Sequence, residues 1–344
     1  MKDLHILKRL IKAYGVSGNE DEVRELIKRE IRRYVDEISI DNMGNLIAHK
    51  RGKAPRIMLA AHLDEVGLMI KKIDNSGLIY CTEIGGLDVV PLLGNIVHIS
   101  TKNGIIHGVI TTPLISAGKD MEKIPTIEEI VIDTGLKKKE LVKMGVRKGT
   151  YLPFENESDS IHLGSKETIF GKALDDRIGC FVLIELAKRI KKSKSDLFFV
   201  FTVQEEVGLY GAKTSTFKIQ PDWGIAVDTT HANDLFTNPT RFLGKGPCIT
   251  VKDGELIADK RINNALIEVA EEMKIPYQIE VTEEGTTDAT NMMITRGGVP
   301  SGVISVPIRN IHTTFSIANV RDIENTILLL EGFLKRFPKN LKKY

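Results

Sequence analysis

Cysteine is scarce in this sequence: Cys81, Cys180 and Cys248 are three among 344 residues, an odd number, widely spaced and without a C-x-x-C pair. That excludes a disulfide framework and a thiolate zinc ribbon, and it fits a reducing compartment. An excess of one charge is missing too. Lysine and arginine number 48 against 46 aspartates and glutamates, a net charge of +2. The basic clusters at 189–194 and 339–343 are short and carry no interleaved aromatics, so nucleic acid is not an expected partner. Nowhere does the chain run apolar for the roughly 18 residues a membrane span needs. Its first fourteen residues interrupt their apolar positions with Lys2, Asp3, Lys8, Arg9 and Lys12, which reads as an amphipathic helix rather than a secretory signal. The expectation is a cytoplasmic chain with no membrane partner.

What is present is a pattern of alternating elements. The apolar positions Val23, Leu26, Ile27 and Ile31 return at helical spacing within 19–33, and NMGN at 42–45 reads as a turn between short strands. Ile57–Ala61 (IMLAA) is too short for a helix and is bounded by polar residues, as a strand of a buried parallel sheet would be. From about Leu68 to His162 short β-type runs alternate with turn signals such as Asn75-Ser76-Gly77, Gly85-Gly86 and Lys102-Asn103-Gly104, with one helical interruption at 137–144. Beyond Leu163 come helix 178–191, strand 197–203, strand 224–227, helix 261–274, strand 302–306 and helix 323–336. The predicted architecture is α/β: residues 1–67 and 163–344 form one split domain, a mainly parallel sheet flanked by helices, and residues 68–162 form a small inserted β-barrel.

Ligands of open α/β sheets gather at the carboxyl ends of the strands. Here those ends carry His62-Leu63-Asp64, Glu205-Glu206, Asp228 and His312, while Asp175-Asp176 stands just before a helix. Taken singly, each has a plain structural reading: His62 a core histidine, Asp176 a helix cap, Glu205-Glu206 a solvated turn, Asp228 a turn former and His312 a surface residue. Together they are harder to dismiss, because charged groups abutting buried strands cost several kcal/mol unless something compensates them. A pair of cations would do so. Two histidines and three carboxylates form an N/O donor set suited to Zn, Co or Mn, with no cysteine to favour a softer ion. Asp64, two positions beyond His62 on an extended chain, faces the same way and is placed to orient the imidazole. Adjacent Glu205 and Glu206 diverge, so that one binds metal while the other stays free as a base.

The strings YGVSGN (14–19), DNMGNLI (41–47), AAHLDEVG (60–67), GKALDDRIG (171–179), VQEEVGLYGA (203–212), AVD (226–228), GKGP (244–247), VKDG (251–254), TDA (287–289) and the stretch 308–313 follow one another through nearly the whole chain. As a set they resemble the TET-type dinuclear metalloaminopeptidases, the family of glutamyl and deblocking aminopeptidases whose members were sometimes labelled endoglucanases. The resemblance implies a phosphorylase/hydrolase-like zinc-exopeptidase fold with two divalent ions per subunit, Zn or Co or else Mn. Asp175 would bridge them, with His62 and Asp228 completing one and Glu206 and His312 the other. It also implies Glu205 as general base, a catalytic supporting part for Asp64, a cis Asp175-Asp176 peptide, and Thr287 and Asp288 at the substrate site, although a helix cap is an equal reading of the last two. The insert would be an assembly domain, and dimers would join into a tetrahedral homo-dodecamer. The expected activity is hydrolysis of N-terminal residues from peptides by a water activated between the metals, with a lean toward neutral or apolar residues. The alternatives are a glycosidase, a related deacylase or dipeptidase, and a silent scaffold with structural metals. Departures from the family pattern stand at Thr313-Thr314, where Ser-Pro is common, and at Ser316, where Glu is frequent.

Overall fold

The computed structural model describes residues 4–120, 123–155 and 161–336; the basic cluster at 339–343 lies outside them. The chain opens with the amphipathic helices α1 (His5–Lys12) and α2 (Asp21–Ile31), which bury Leu7, Leu10 and Ile11 on one and Val23, Ile27 and Ile31 on the other. Strands β1 (Glu37–Ile40), β2 (Leu46–Lys50) and β3 (Lys53–His62) follow. The expected turn joins the first two, the Asp41 carboxylate accepting from the N–H groups of Met43, Gly44 and Asn45 at 3.0 Å.

A second sheet begins at β4 (Gly67–Ile73) and continues through β5 (Ile79–Ile84), β6 (Ile96–Thr101), β7 (Gly104–Thr111), helix α3 (Pro113–Ser116), β8 (Val131–Asp133), helix α4 (Lys138–Lys143) and β9 (Tyr151–Leu152). Its order is β6-β7-β8-β5-β4-β9, with every pairing antiparallel. The sheet curls until the segment after β9 meets β6. His98 N–H donates to the Pro153 carbonyl and Glu155 N–H to the Ile96 carbonyl, both at 2.9 Å. This seam nearly closes a barrel around a core of its own, in which Leu68, Ile70, Val97, Ile99, Ile110 and Leu152 are buried.

The chain then returns to the first sheet with β10 (Thr168–Gly171), α5 (Leu174–Arg189), β11 (Ser195–Thr202), α6 (Tyr210–Ile219), β12 (Trp223–His231), β13 (Cys248–Lys252), α7 (Lys260–Met273), β14 (Gln278–Val281), α8 (Asp288–Met293), β15 (Ser301–Arg309), β16 (Ser316–Asn319) and α9 (Val320–Arg336). The sheet path is β1-β2-β11-β3-β12-β15-β13-β14, with β16 and β10 off the path beside β15. Its centre, β11-β3-β12-β15, is parallel, and the antiparallel pairs lie outside it. Alternate residues of β3 serve two cores. Ile57, Leu59 and Ala61 pack with the apolar sides of α5 and α9, whereas Met58 and Ala60 pack with Ala212 of α6 and Met292 of α8. Burial on both faces is why IMLAA is a continuous apolar run.

Two expectations need correction. Strand β12 runs to His231, so Asp228 lies inside a strand rather than after one. Helix α6 has no counterpart in the sequence reading, since YGAKTSTFKI has little apolar periodicity and buries mainly small residues. No helix among the described residues is long and apolar enough to cross a membrane.

Candidate metal centre and active site

Because β3, β11, β12 and β15 run the same way, their carboxyl ends open on one edge of the sheet. His62 ends β3 and pairs with Thr202, which ends β11; Glu205 and Glu206 follow within a turn. Asp228 on β12 pairs with Ser305 on β15, and His312 lies just past that strand. Asp175 and Asp176 sit in the first turn of α5 with non-helical backbone and a cis peptide between them. Gly179, one turn on, admits this close approach: a Cβ there would lie 2.3 Å from Asp176 Oδ2 and 2.6 Å from the Val227 carbonyl.

The side chains converge. Asp175 stands between the imidazoles, Oδ1 at 3.3 Å from His62 Nε2 and Oδ2 at 3.3 Å from His312 Nε2. His62 Nε2 is 3.8 Å from Asp228 Oδ1, and His312 Nε2 is 3.2 Å from Glu206 Oε2. Donor atoms of His62, Glu205 and Asp228 lie within 4.8 Å of one another, as do those of His62, Asp175 and Glu206. Asp176 also lies within 4.8 Å of Asp175 and Asp228, and its carboxylate accepts from the backbone N–H groups of His62 at 3.2 Å and Gly179 at 2.8 Å.

Burial shapes the electrostatics. It pushes the Glu205 carboxyl well above the usual range, His62 opposing and the charges of Asp228, Asp288 and Glu206 adding to the rise. Glu206 is pushed up to about 7 by burial, against the pull of His312. Asp228 rises by burial as well. Burial also acts to raise Asp175, but contacts with His312 and His62 overcome it and hold this carboxyl far below the usual range. His312 rises to about 9, the surrounding carboxylates outweighing burial. Burial thus opposes ionisation of Glu205, Glu206 and Asp228, whereas the two imidazoles favour it at Asp175.

The residues fit divalent cations. Oxygen Oε1 of Glu206 is buried with no hydrogen-bond partner. Ligands at 2.0–2.2 Å around a tetrahedral ion stand roughly 3.3–3.6 Å apart, close to the imidazole–carboxylate separations here. His62 Nδ1 contacts the Asp64 carbonyl oxygen at 3.1 Å, which as a donor to that carbonyl leaves Nε2 for coordination.

Asp64 thus meets the imidazole differently from what its spacing suggests. Its carboxylate lies 3.7 Å from Nδ1 and accepts instead from the Ser17 hydroxyl at 2.5 Å and from the N–H groups of Glu205 at 3.0 Å and Glu206 at 3.1 Å. It pins the two consecutive amides whose side chains diverge. The sequence reading missed the neighbouring group of buried charges. Glu65 accepts from Lys172 Nζ at 2.7 and 2.9 Å, from Arg177 Nη2 at 3.2 Å and from Gly15 N–H at 2.9 Å. Arg177 also donates to the Leu10 carbonyl at 2.8 Å. Its only signal was membership of the AAHLDEVG and GKALDDRIG strings.

Thr287 caps α8, its hydroxyl accepting from Ala289 N–H at 3.3 Å, and it also lines the cavity. Asp288 is buried and accepts from the Thr202 hydroxyl at 2.5 Å; burial raises it to about 6. The cavity above the cluster measures about 690 Å³. The insert contributes Gly86 to its wall. Gly85 beside it adopts φ +78°, and a Cβ there would stand 2.7 Å from Val66 and 3.3 Å from Glu206. The loop bearing His312 is tied down by hydroxyls: Thr313 and Ser316 donate to the Asn310 carbonyl at 2.7 and 2.8 Å, and Thr314 donates to Asn95 Oδ1 of the insert at 2.8 Å.

A parallel α/β sheet with two histidines and a ring of carboxylates at its carboxyl edge, beneath a cavity wide enough for a peptide end, defines a metal-dependent hydrolase. The chain belongs to the M42 glutamyl aminopeptidase family, whose model matches residues 44–329, and it is a metal-dependent aminopeptidase. It is 35% identical to the lysyl aminopeptidase of Pyrococcus furiosus over 97% of each chain. Its fold matches an aminopeptidase from the archaeon Desulfurococcus kamchatkensis with a TM-score of 0.91, at 36% identity over 96% of this chain and 94% of the other. It also matches the TET1 peptidase of Pyrococcus horikoshii, described as able to assemble into a tetrahedron or a large octahedral shell, with a TM-score of 0.87 at 32% identity over 96% and 98% of the two chains. The glycosidase alternative finds no favour in these relatives.

Proposed function

We propose that this aminopeptidase works with two divalent ions, Zn or Co or else Mn, which His62, Asp175, Glu206, Asp228 and His312 would hold. The placement of Asp175 between the two imidazoles carries this reading. Bound there, the ions supply Lewis acidity toward the scissile carbonyl and toward the attacking water. Glu205, buried beside the cluster with its carboxyl raised by burial, takes the proton from that water and passes it to the leaving amine. Asp64 holds the Glu205 and Glu206 amides, so the base and its metal-binding neighbour keep separate directions. The decisive experiment pairs metal analysis with turnover of aminoacyl chromogenic substrates for Glu205→Gln. Retained metal with lost turnover supports the roles; retained turnover removes them.

The far wall of the cavity bears on which residue is removed. Asp253, Glu255, Glu280 and Glu284 line it, with Arg241 as a cation. Glu280 is already satisfied by Arg241 at 2.6 Å and by the Thr230 and Thr250 hydroxyls at 2.5 and 2.6 Å. Asp253 accepts through Oδ1 from Glu255 and Leu256 N–H, while its buried Oδ2 has no partner. With Asp253 buried, the exposed carboxylates of Glu255 and Glu284 are what a substrate can reach on this wall, and they favour a cationic N-terminal side chain, lysine or arginine. That departs from the lean toward neutral or apolar residues, because the fold brings Arg241, the turn at 253–255, strand β14 and the stretch after it to one cavity.

Oligomerisation fits the same picture. The insert exposes Ile105, Val109, Leu114, Ile115 and Ile124, apolar surface of the kind subunit contacts cover. We read residues 68–162 as an assembly domain set into a catalytic domain of residues 1–67 and 163–344, and the assembly as a tetrahedral dodecamer of dimers. The free, buried cysteines suit the cytoplasm.

A further inference from the structure

We propose a third metal site, separate from the catalytic pair, at the seam of the barrel, formed by His98, His107 and Glu155. His98 on β6 and His107 on β7 are direct cross-strand partners, so both imidazoles project from one face. Glu155 follows the segment that closes the barrel against β6, which brings its carboxylate to the same place. Donor atoms of the three lie within 4.8 Å of one another. Glu155 Oε2 stands 3.4 Å from His107 Nε2 and 3.7 Å from His98 Nδ1. These are the separations found among the imidazoles and carboxylates of the catalytic cluster, and they suit donors around a tetrahedral ion.

A hydrogen-bonded histidine–glutamate pair does not account for the arrangement. His98 is only 5% exposed, yet its Nδ1 has no hydrogen-bond partner. Its Nε2 meets the Ser100 hydroxyl at 3.1 Å, which as a donor leaves the Nδ1 lone pair directed at the cluster. The carboxylate is oriented by Tyr14, which donates to Glu155 Oε2 at 2.6 Å and packs against His98 with the rings tilted by 45° and their centroids 4.1 Å apart. Two nitrogens and one oxygen suit Zn²⁺ or Co²⁺ and disfavour Mg²⁺ or Ca²⁺, which take oxygen donors. His107 is half exposed, which leaves a path for the ion and room for water as a fourth ligand. An ion here would join β6, β7 and the closing segment, and through Tyr14 the start of the chain.

The test uses the full chain, stripped with chelator and titrated with Zn²⁺ or Co²⁺ alone. His107→Ala is expected to bind one ion fewer per chain than the wild type, to lose one set of tetrahedral Co²⁺ absorption bands, and to keep aminopeptidase turnover. A His62→Ala/His312→Ala chain, impaired at the catalytic pair, should still bind the seam ion and gain thermal stability from Zn²⁺, and adding His107→Ala should abolish both. The double variant reports on the seam whatever becomes of the catalytic assignment. Equal metal content in wild type and His107→Ala, or no Zn²⁺ effect on the double variant that depends on His107, would overturn the proposal.

Discussion

The two sheets of this molecule are built from similar residues and do different work. The large sheet delivers His62, Glu205, Glu206, Asp228 and His312 to one edge, while among the described residues the barrel contributes only Gly86 to the cavity. Direction is the reason. Parallel neighbours end on the same side, so loops from distant parts of the chain meet there; antiparallel neighbours end on alternate sides, and closure leaves no common edge. Polar groups on the barrel meet across the face of paired strands instead, as His98 and His107 do.

Four substitutions would break or sharpen this contrast. The largest effect is expected at the parallel edge, where Glu205→Gln should lower kcat by about 10²–10⁴-fold with metal content unchanged, read from steady-state kinetics beside metal analysis. Beneath that edge, Glu65→Ala leaves Lys172 and Arg177 buried without their counter-charge. It should cost about 3–5 kcal/mol in denaturant unfolding, and a loss under 1 kcal/mol would refute the importance of this network. On the cavity wall, Glu284→Gln removes an exposed carboxylate and keeps its size. We expect kcat/KM for lysyl substrates to fall by about 10–100-fold, with leucyl substrates little changed, corresponding to about 1.5–3 kcal/mol for a charged hydrogen bond. Equal loss on both substrates would argue against a cationic preference. On the barrel, Ile124→Asp should reduce the assembly's mass in light scattering while kcat per chain stays within about twofold.

The same contrast governs what could be read from the sequence. The central strands and long helices were legible because each carries its own period, as IMLAA does for a strand buried on both faces and α2 does for a helix. The short strands β10 and β16 and the small-residue helix α6 lack such a signal and exist through their neighbours. Within the site, His62, Glu205, Glu206 and His312 stood out because a charged residue next to an apolar run is conspicuous. The grouping of Glu65, Lys172 and Arg177 was not, since their contacts join positions 107 and 112 residues apart. Asp64 shows the limit most clearly. Its spacing suggested a carboxylate on the imidazole, yet that carboxylate holds amides 141 and 142 residues further along the chain. Periodicity describes an element, and only the folded backbone says where a carboxylate finds its donors.

Ser17 donates to the same Asp64 carboxylate, so the groups that set the site reach from near the beginning of the sequence to His312. A ribosome that has not yet released residue 312 therefore exposes a polypeptide whose converging side chains are still divided between what has emerged and what has not.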